Sequence, residues 1–169
     1  PDTYRRLSEK NMEAFSLLLR RYNARWLLKT DDDAFVRLDV LCAAEVPRIE
    51  RMIDPTREPA LAGAMEALYK PRRHGKWWVP RSEWPVGERH LRWVHGWCHL
   101  LSYVAAASLA STKQQPNFPL LPIEDMNSAA TLAAMYGPER YHAETVHNYH
   151  FYGCKRNATA MHRVSPGLM

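Results

Sequence analysis

Apolar residues follow a helical spacing near the start of the chain and then form short continuous runs. Over residues 4–22 they recur at three- and four-residue steps, with charged residues between them, which predicts an amphipathic helix. Residues 26–30 are short and apolar, a composition typical of a buried strand. A second helix is predicted over residues 36–53 and is expected to break near Pro47, because proline removes a helical hydrogen bond.

Later segments alternate between strand-like and helix-like composition. Residues 61–69 fit a strand or a short helix, and Ser102 is a candidate N-cap for a helix within the apolar stretch 99–110. The other predicted elements are loops at 54–59 and 114–122, strands at 76–79, 148–152 and 158–164, and a helix at 127–135 ended by Gly137. Helices that alternate with strands predict an α/β sheet architecture.

The composition is that of a folded protein with a modest positive charge. Of the 169 residues, 46% are hydrophobic and 24% are charged, which allows a sizeable core and argues against general disorder. The length suits one domain or part of a larger one. The formal net charge of +5 is compatible with nucleic acid, phosphate groups or acidic membranes and selects none of them. Three cysteines are too few for a disulfide-stapled scaffold.

Three consecutive aspartates, Asp31, Asp32 and Asp33, follow the predicted strand at 26–30. One interpretation is a solvated turn in which one aspartate caps the following helix. The other is a divalent-metal site, because clustered carboxylates become favourable when a cation neutralises them, and oxygen ligands suit Mg²⁺ or Mn²⁺. Ligands bind at the carboxyl ends of strands in α/β sheets, and a metal at this position would hold a diphosphate.

A second pair of acids and a late histidine are further candidates. Glu124 and Asp125 precede the predicted helix at 127–135, where acids complement the helix macrodipole; the alternative is a catalytic carboxylate. His162 lies in an apolar context that suits a strand end. It is either a packed or surface side chain or, since neutral imidazole is a good metal ligand, a ligand for Mn²⁺.

Residues 70–93 interleave basic and aromatic side chains and have no clear period. This composition is compatible with a well-packed surface loop, or with a groove that tracks a nucleic-acid strand by charge and stacking. It equally suits a diphosphate and a stacked sugar, for which Arg72, Lys76 and Trp77 are the candidate residues.

Taken in order, these motifs resemble the β-1,3-galactosyltransferase family, which also includes β-1,3-N-acetylglucosaminyltransferases and fringe-like enzymes. The order of the motifs is specific, and together they cover nearly the whole chain. The matching segments are DTYRRLSEK (2–10), KTDDDAFVRL (29–38), PRR (71–73), KWWV (76–79), WP (84–85), GWCHLLS (96–102), EDM (124–126), Cys154 and MH (161–162).

The resemblance implies a GT-A fold, which is a Rossmann-like mixed sheet flanked by helices. It also implies a metal-dependent enzyme with Mn²⁺ or Mg²⁺ that transfers galactose or an N-acetylhexosamine from a UDP-sugar. The acceptor would be a glycan or glycoprotein, the linkage β-1,3 and the transfer inverting. By the same resemblance Asp33 and His162 bind the metal, Asp31 and Asp32 help to place the nucleotide, and Asp125 is the catalytic base.

The sequence departs from the family's pattern in two places. Trp97 and Cys98 stand where the family has small residues, and a tryptophan there is expected to crowd or reshape the site. Ala129 replaces a usual glycine. Both departures bear on the choice of donor and acceptor and on activity.

By the same resemblance residues 1–169 form a partial catalytic domain that carries the metal site and the acceptor side. The family's nucleotide-binding half precedes the segment at 2–10, so this chain alone is expected to transfer sugar poorly. In the family the longer protein is anchored in the Golgi membrane, with its catalytic domain in the lumen.

Two other functions are compatible with the sequence. One is a basic, aromatic nucleic-acid-binding module, and the other is an inactive relative that binds sugar without transferring it. The salt dependence of binding distinguishes a nucleic-acid-binding module from a transferase that binds no nucleic acid. Binding driven by phosphate contacts weakens steeply with salt, whereas UDP binding is expected to require a divalent ion.

Overall fold

The structure, a computed structural model, describes residues 6–69, 72, 74–75, 78–84, 91–113, 115, 120–121, 123–150 and 156–162. The helices are α1 (Leu7–Arg21), α2 (Leu38–Val40), α3 (Val46–Glu50), α4 (Tyr103–Thr112) and α5 (Glu124–Tyr136), with a π-helical stretch at Leu41–Glu45 and a 3-10 turn at Arg81–Glu83. The strands are β1 (Trp26–Thr30), β2 (Ala34–Val36), β3 (Ala60–Tyr69), β4 (Leu91–Ser102), β5 (His142–Thr145), β6 (Tyr149–His150) and β7 (Ala160–His162). Among these described residues no helix is long and apolar enough to cross a membrane.

The central sheet has the strand order β1-β4-β3-β5 and is mixed, since β3 pairs antiparallel with β4 and parallel with β5. Successive residues of a strand face opposite sides. Leu61 and Leu101 therefore join the larger core with α1, α4 and α5, whereas Ala62 and Leu100 join a smaller core with the helical segment 38–50. Helices on both faces of a mixed sheet confirm the α/β class and the GT-A-like architecture that the resemblance implied.

A second, smaller sheet has the order β2-β7-β6. Strand β7 pairs antiparallel with β2, with Ala34 opposite His162, and parallel with β6. This register brings the late part of the chain beside the turn that follows β1. The predicted strands at 148–152 and 158–164 correspond to β6 and β7, and residues 151–155 and 163–169 lie outside the described residues.

Helix α4 confirms the predicted helix within residues 99–110, and the first part of that stretch belongs to strand β4. The strand continues to Ser102, and only then does α4 begin. Ser102 is the N-cap as predicted, because its Oγ accepts a hydrogen bond from the Ala105 N–H at 3.1 Å. Because β4 is buried on both faces over its last residues, its sequence is a continuous apolar run that periodicity does not distinguish from a helix.

The helical segment 38–50 corrects the predicted break near Pro47. The chain stays helical through Pro47, which lies in the first turn of α3, directly after the π-helical stretch. Proline removes the donor of one helical hydrogen bond and crowds the preceding turn, and a wider turn accommodates this without ending the helix. Val36, predicted as the first helical residue, belongs to β2.

Four further segments differ from their predictions, in part or in full. Residues 61–69, left open between strand and helix, lie in β3, and the helix predicted at 127–135 begins earlier, at Glu124. Strand β5 was not predicted, because its sequence, HAET, is mostly polar. Of the strand predicted at 76–79, Trp78 forms a single bridge with Arg72, and residues 76–77 lie outside the described residues.

Candidate metal and base site

The three aspartates form the turn between β1 and β2. The Asp31 N–H donates to the Trp97 carbonyl at 2.8 Å, and the Ala34 N–H donates to the Asp31 carbonyl at 3.3 Å, which turns the chain back into β2. The capping interpretation of this triplet is wrong, since the residue at the N-cap of α2 is Arg37 and no side chain caps that helix.

His162 lies against this turn, although most of the chain separates the two. Its Nε2 is 3.3 Å from Asp33 Oδ1. One ligand atom from each of Asp31, Asp33 and His162 lies within 4.8 Å of the others. The structure thus brings together the two residues predicted to share a metal and adds Asp31, which was predicted to place the nucleotide. Asp32 is exposed in the same turn and is not a member of this group.

The donor set fits a divalent cation. Two carboxylates and an imidazole are ligands that Mn²⁺ accepts in proteins. Two ligand atoms that each lie about 2.1 Å from one ion, at a right angle, are about 3 Å apart. The separation of 3.3 Å between Asp33 Oδ1 and His162 Nε2 is close to that value. Ion binding by these residues stays a prediction.

Lys29 connects this group to the start of α5. Its Nζ is 2.5 Å from both Asp31 Oδ1 and Glu124 Oε1, and it also donates to the Gly96 carbonyl. The Lys29 side chain is only 11% exposed and that of Glu124 only 5%. Burial works against the ammonium, but the charges and hydrogen bonds of Glu124 and Asp31 outweigh it and raise the pKa of Lys29. Lys29 therefore stays charged between two carboxylates.

Asp125 is fixed by two backbone groups. Its Oδ1 accepts a hydrogen bond from the Met126 N–H at 2.7 Å, and its Oδ2 accepts one from the Gly96 N–H at 3.1 Å. Burial, with the negative charge of Glu124, raises the pKa of Asp125 to about 7. A carboxyl with a pKa near neutrality suits a general base. Asp125 also lies in the first turn of α5, so its role as a helix-terminal acid is an alternative that the geometry leaves open.

Gly96 is required by the close approach of Glu124. A Cβ at this position would lie 2.7 Å from Glu124 Oε1 and 2.8 Å from Oε2, which is closer than real Cβ contacts. Glycine therefore allows the strand β4 and the start of α5 to meet at the buried carboxylate.

The two departures from the family's pattern occupy different places. The Trp97 ring is 4% exposed and stacks on the imidazole of His162, with ring centroids 5.3 Å apart and an interplanar angle of 7°. It packs against the imidazole of His162. Cys98 is buried beside it, and Ala129 packs in the larger core.

The predicted donor-binding residues of the basic segment are not joined to this site by the described contacts. Arg72 is exposed, its carbonyl accepts a hydrogen bond from the Val79 N–H at 3.0 Å, and within the described part of the chain its side chain makes no ion pair with the aspartates. Lys76 and Trp77 lie outside the described residues. The role of all three in donor binding stays a prediction.

Sequence reasoning assigned no role to Lys29, although it falls in the KTDDD motif. A single lysine within an apolar strand was the available signal, because a buried ammonium requires acidic partners. Glu124 was recognised only as one of two acids before a helix. Its pairing with Lys29 depends on the contact between β1, β4 and α5, which local sequence patterns do not encode.

Comparisons with known proteins agree on one family. The sequence model of the family described as Galactosyltransferase matches residues 1–144. A beta-1,3-galactosyltransferase from Arabidopsis thaliana is 30% identical over 151 residues, which are 87% of this chain and 22% of that protein. Beta-1,3-galactosyltransferase 4 from Homo sapiens is 31% identical over 150 residues, which are 74% of this chain and 39% of that protein.

A hydroxyproline O-galactosyltransferase from Arabidopsis thaliana is 26% identical over 148 residues, covering 86% of this chain and 21% of that protein. The chain therefore spans between about a fifth and two fifths of the length of these relatives. The match to the family covers most of the chain and includes the acidic turn, Gly96 and the Glu124–Asp125 pair. On these grounds the chain belongs to the galactosyltransferase family.

Proposed function

We propose that this chain is the metal-site and acceptor-side portion of an inverting, metal-dependent glycosyltransferase. It transfers galactose or an N-acetylhexosamine from a UDP-sugar to a glycan or glycoprotein acceptor in β-1,3 linkage. The observation that carries the proposal is the meeting of Asp31, Asp33 and His162 at the end of β1, in a chain of the galactosyltransferase family.

Asp33, His162 and Asp31 would hold Mn²⁺ or Mg²⁺. A divalent ion held by these residues would neutralise the diphosphate of the donor and so help UDP to leave. Lys29 keeps Asp31 in place through their 2.5 Å contact, and its charge is balanced on the other side by Glu124.

Asp125 would take the proton of the acceptor hydroxyl as that oxygen attacks the anomeric carbon. A single displacement of this kind inverts the configuration at that carbon. The backbone N–H groups of Gly96 and Met126 hold the carboxylate in one orientation, and its raised pKa makes it a stronger base than an ordinary aspartate.

The compartment is proposed from the resemblance and from the family. In the full-length protein this segment would lie in the Golgi lumen, in a protein held by a membrane anchor.

Mn²⁺-dependent binding of UDP to the complete enzyme tests the proposal. Isothermal titration should detect UDP binding with Mn²⁺ and none in excess EDTA, and Asp33→Asn should weaken both Mn²⁺ and UDP binding. Asp39→Asn is the matched control, because Asp39 is an exposed aspartate paired with Arg37 outside the group. UDP binding that ignores EDTA and Asp33→Asn would contradict the proposal. Binding without transfer in the complete enzyme would identify an inactive relative.

A further inference from the structure

Trp97 contacts both the acidic turn and His162, which together form the candidate cation site. Its carbonyl accepts the Asp31 N–H at 2.8 Å, which extends the β1–β4 pairing one step beyond the Thr30–Cys98 pair. Its ring stacks on the imidazole of His162. One residue of β4 therefore fixes the start of the acidic turn with its backbone and the late histidine with its side chain.

Neighbouring side chains hold the ring of Trp97 in place. Tyr149 of β6 lies at a centroid distance of 5.2 Å and an interplanar angle of 42°, a tilted aromatic pair. The Tyr149 hydroxyl lies 3.4 Å from the Cys98 Sγ, so it is anchored to the residue next to Trp97. Because Trp97 is only 4% exposed, surrounding atoms cover its ring and restrict its rotation away from His162.

The stacking geometry fixes the plane of the imidazole. An imidazole binds a metal through a nitrogen lone pair that lies in the ring plane, so a rotation of the ring turns Nε2 away from the ion. Trp97 and His162 are within 7° of parallel, and in this orientation Nε2 points to Asp33 Oδ1 at 3.3 Å. His162 ends a three-residue strand, which by itself restrains a side chain weakly.

We propose that Trp97 is the positioning residue of the cation site: its indole holds the plane of the His162 imidazole, and its carbonyl holds Asp31. This inference rests on the proposed function, because it assumes that Asp33 and His162 bind a divalent ion. Trp97, which stands where the family has small residues, thus has a role in assembling the site. Interactions that orient a metal ligand typically change metal affinity about 10- to 100-fold.

Mn²⁺ titration of Trp97→Leu and Trp97→Phe tests the inference. Leucine keeps an apolar side chain but has no aromatic face, so the dissociation constant for Mn²⁺ should rise about 10-fold or more. Phenylalanine restores a flat face and should bind within about 3-fold of the wild type, a difference that lies below the usual range for lost orientation. Trp93→Leu is the control, since Trp93 is buried in the same strand and pairs with His95.

Tryptophan fluorescence gives a second measurement. Paramagnetic Mn²⁺ bound at His162 should quench Trp97, and diamagnetic Mg²⁺ should reverse the quenching by competition. Trp97→Phe should bind Mn²⁺ yet lose most of the quenching. If Trp97→Leu does not fold, as judged by circular dichroism, Trp97→Met replaces it.

The outcomes separate the inference from the proposed function. If wild-type protein binds Mn²⁺ and Trp97→Leu binds it equally well, the inference is wrong and the proposed function is unaffected. If Trp97→Phe is quenched as strongly as the wild type, the ion does not bind beside Trp97 and the inference is also wrong. If the wild type binds no Mn²⁺, the proposed function fails, and the inference fails with it.

Discussion

At the scale of single residues, the site depends on a few side chains whose charges face one another over short distances. Lys29 is the link, because its ammonium contacts Asp31 on the side of the candidate cation site and Glu124 on the side of Asp125. Asp125, in turn, is held by backbone N–H groups. The two carboxylates Asp33 and Asp125 thus have different surroundings, and substitution should separate their roles.

Asp125→Asn in the complete enzyme should abolish transfer and leave Mn²⁺-dependent UDP binding nearly intact. Asparagine has the size of aspartate but cannot take the acceptor's proton, so turnover should fall by roughly 10²–10⁴-fold or more. Asp33→Asn should differ, because it removes charge beside the ion and weakens donor binding itself. Steady-state kinetics and UDP titration measure both. Near-normal turnover of Asp125→Asn would leave Asp125 as a helix-terminal acid and move attention to Glu124.

Gly96→Ala should disrupt the contact between β4 and α5. The added Cβ would lie 2.7 Å from Glu124 Oε1, and overpacking of this kind costs about 1–3 kcal/mol of unfolding free energy. Because the clash is with one side chain, the double variant Gly96→Ala/Glu124→Ala should lose less stability than the sum of the single variants. Urea unfolding of the four proteins measures this. Strict additivity would show that the alanine clashes with something else.

At the scale of secondary structure, sequence patterns predicted α1 and missed the strands β4 and β5. Helix α1 alternates buried and exposed positions, and its apolar spacing is therefore readable. Strand β4 ends in six consecutive buried residues, and β5 has only one, so neither shows the alternation of a half-buried strand. Pairing with β3 forms β5, and that long-range contact has no local signature.

The candidate site, like the secondary structure, could be predicted only in part from the sequence. The acidic turn and the late histidine were identified as one group through the resemblance to a family, since no spacing rule joins residues so far apart in the chain. The Lys29–Glu124 pair and the stacking of Trp97 on His162 were not predicted, because both arise where β1, β4, α5 and β7 come together.

Ser102→Ala should destabilise the protein by more than the loss of a helix cap alone. Besides accepting the Ala105 N–H, Ser102 Oγ accepts the Ala60 N–H at 2.9 Å and donates to the Glu58 carbonyl at 2.8 Å. Alanine leaves these buried groups without their partner, at a cost of about 2–4 kcal/mol. Ser111→Ala is the control, because the Ser111 Oγ donates to the Ser108 carbonyl within α4, and it should cost about 0.5 kcal/mol or less. Equal losses for the two variants, measured by urea unfolding, would contradict this.

At the scale of the whole molecule, the raised pKa of Asp125 predicts how stability depends on pH. The folded protein holds this proton up to about pH 7, whereas the unfolded chain releases it near the ordinary value of 3.8. Because the folded state binds more protons between these limits, this carboxyl lowers stability progressively as the pH rises from about 4 to about 7. Below that window both states are protonated, and above it both are ionised.

Asp125→Asn removes this titration. The stability of the variant relative to the wild type, from urea unfolding at fixed pH values, should therefore increase from pH 4 to pH 7 and level off above pH 8. Asp39→Asn is the control, because its stability relative to the wild type should change with pH in the opposite direction. A hydrogen bond from Arg37 lowers the pKa of Asp39, so its favourable contribution is lost only as the pH falls into the acid range. A relative stability of Asp125→Asn that does not change with pH would contradict the raised pKa.

The position of β7 has a consequence for biosynthesis. The larger core contains no described residue beyond Ala143, whereas the group at the acidic turn needs His162. Chains emerge from the ribosome with the amino-terminal part first and fold as they appear. The helices and the central sheet can thus pack while the three aspartates still face solvent without their histidine. In a nascent chain the larger core would therefore form before the candidate cation site. The site would be completed when the three residues of β7 pair with β2.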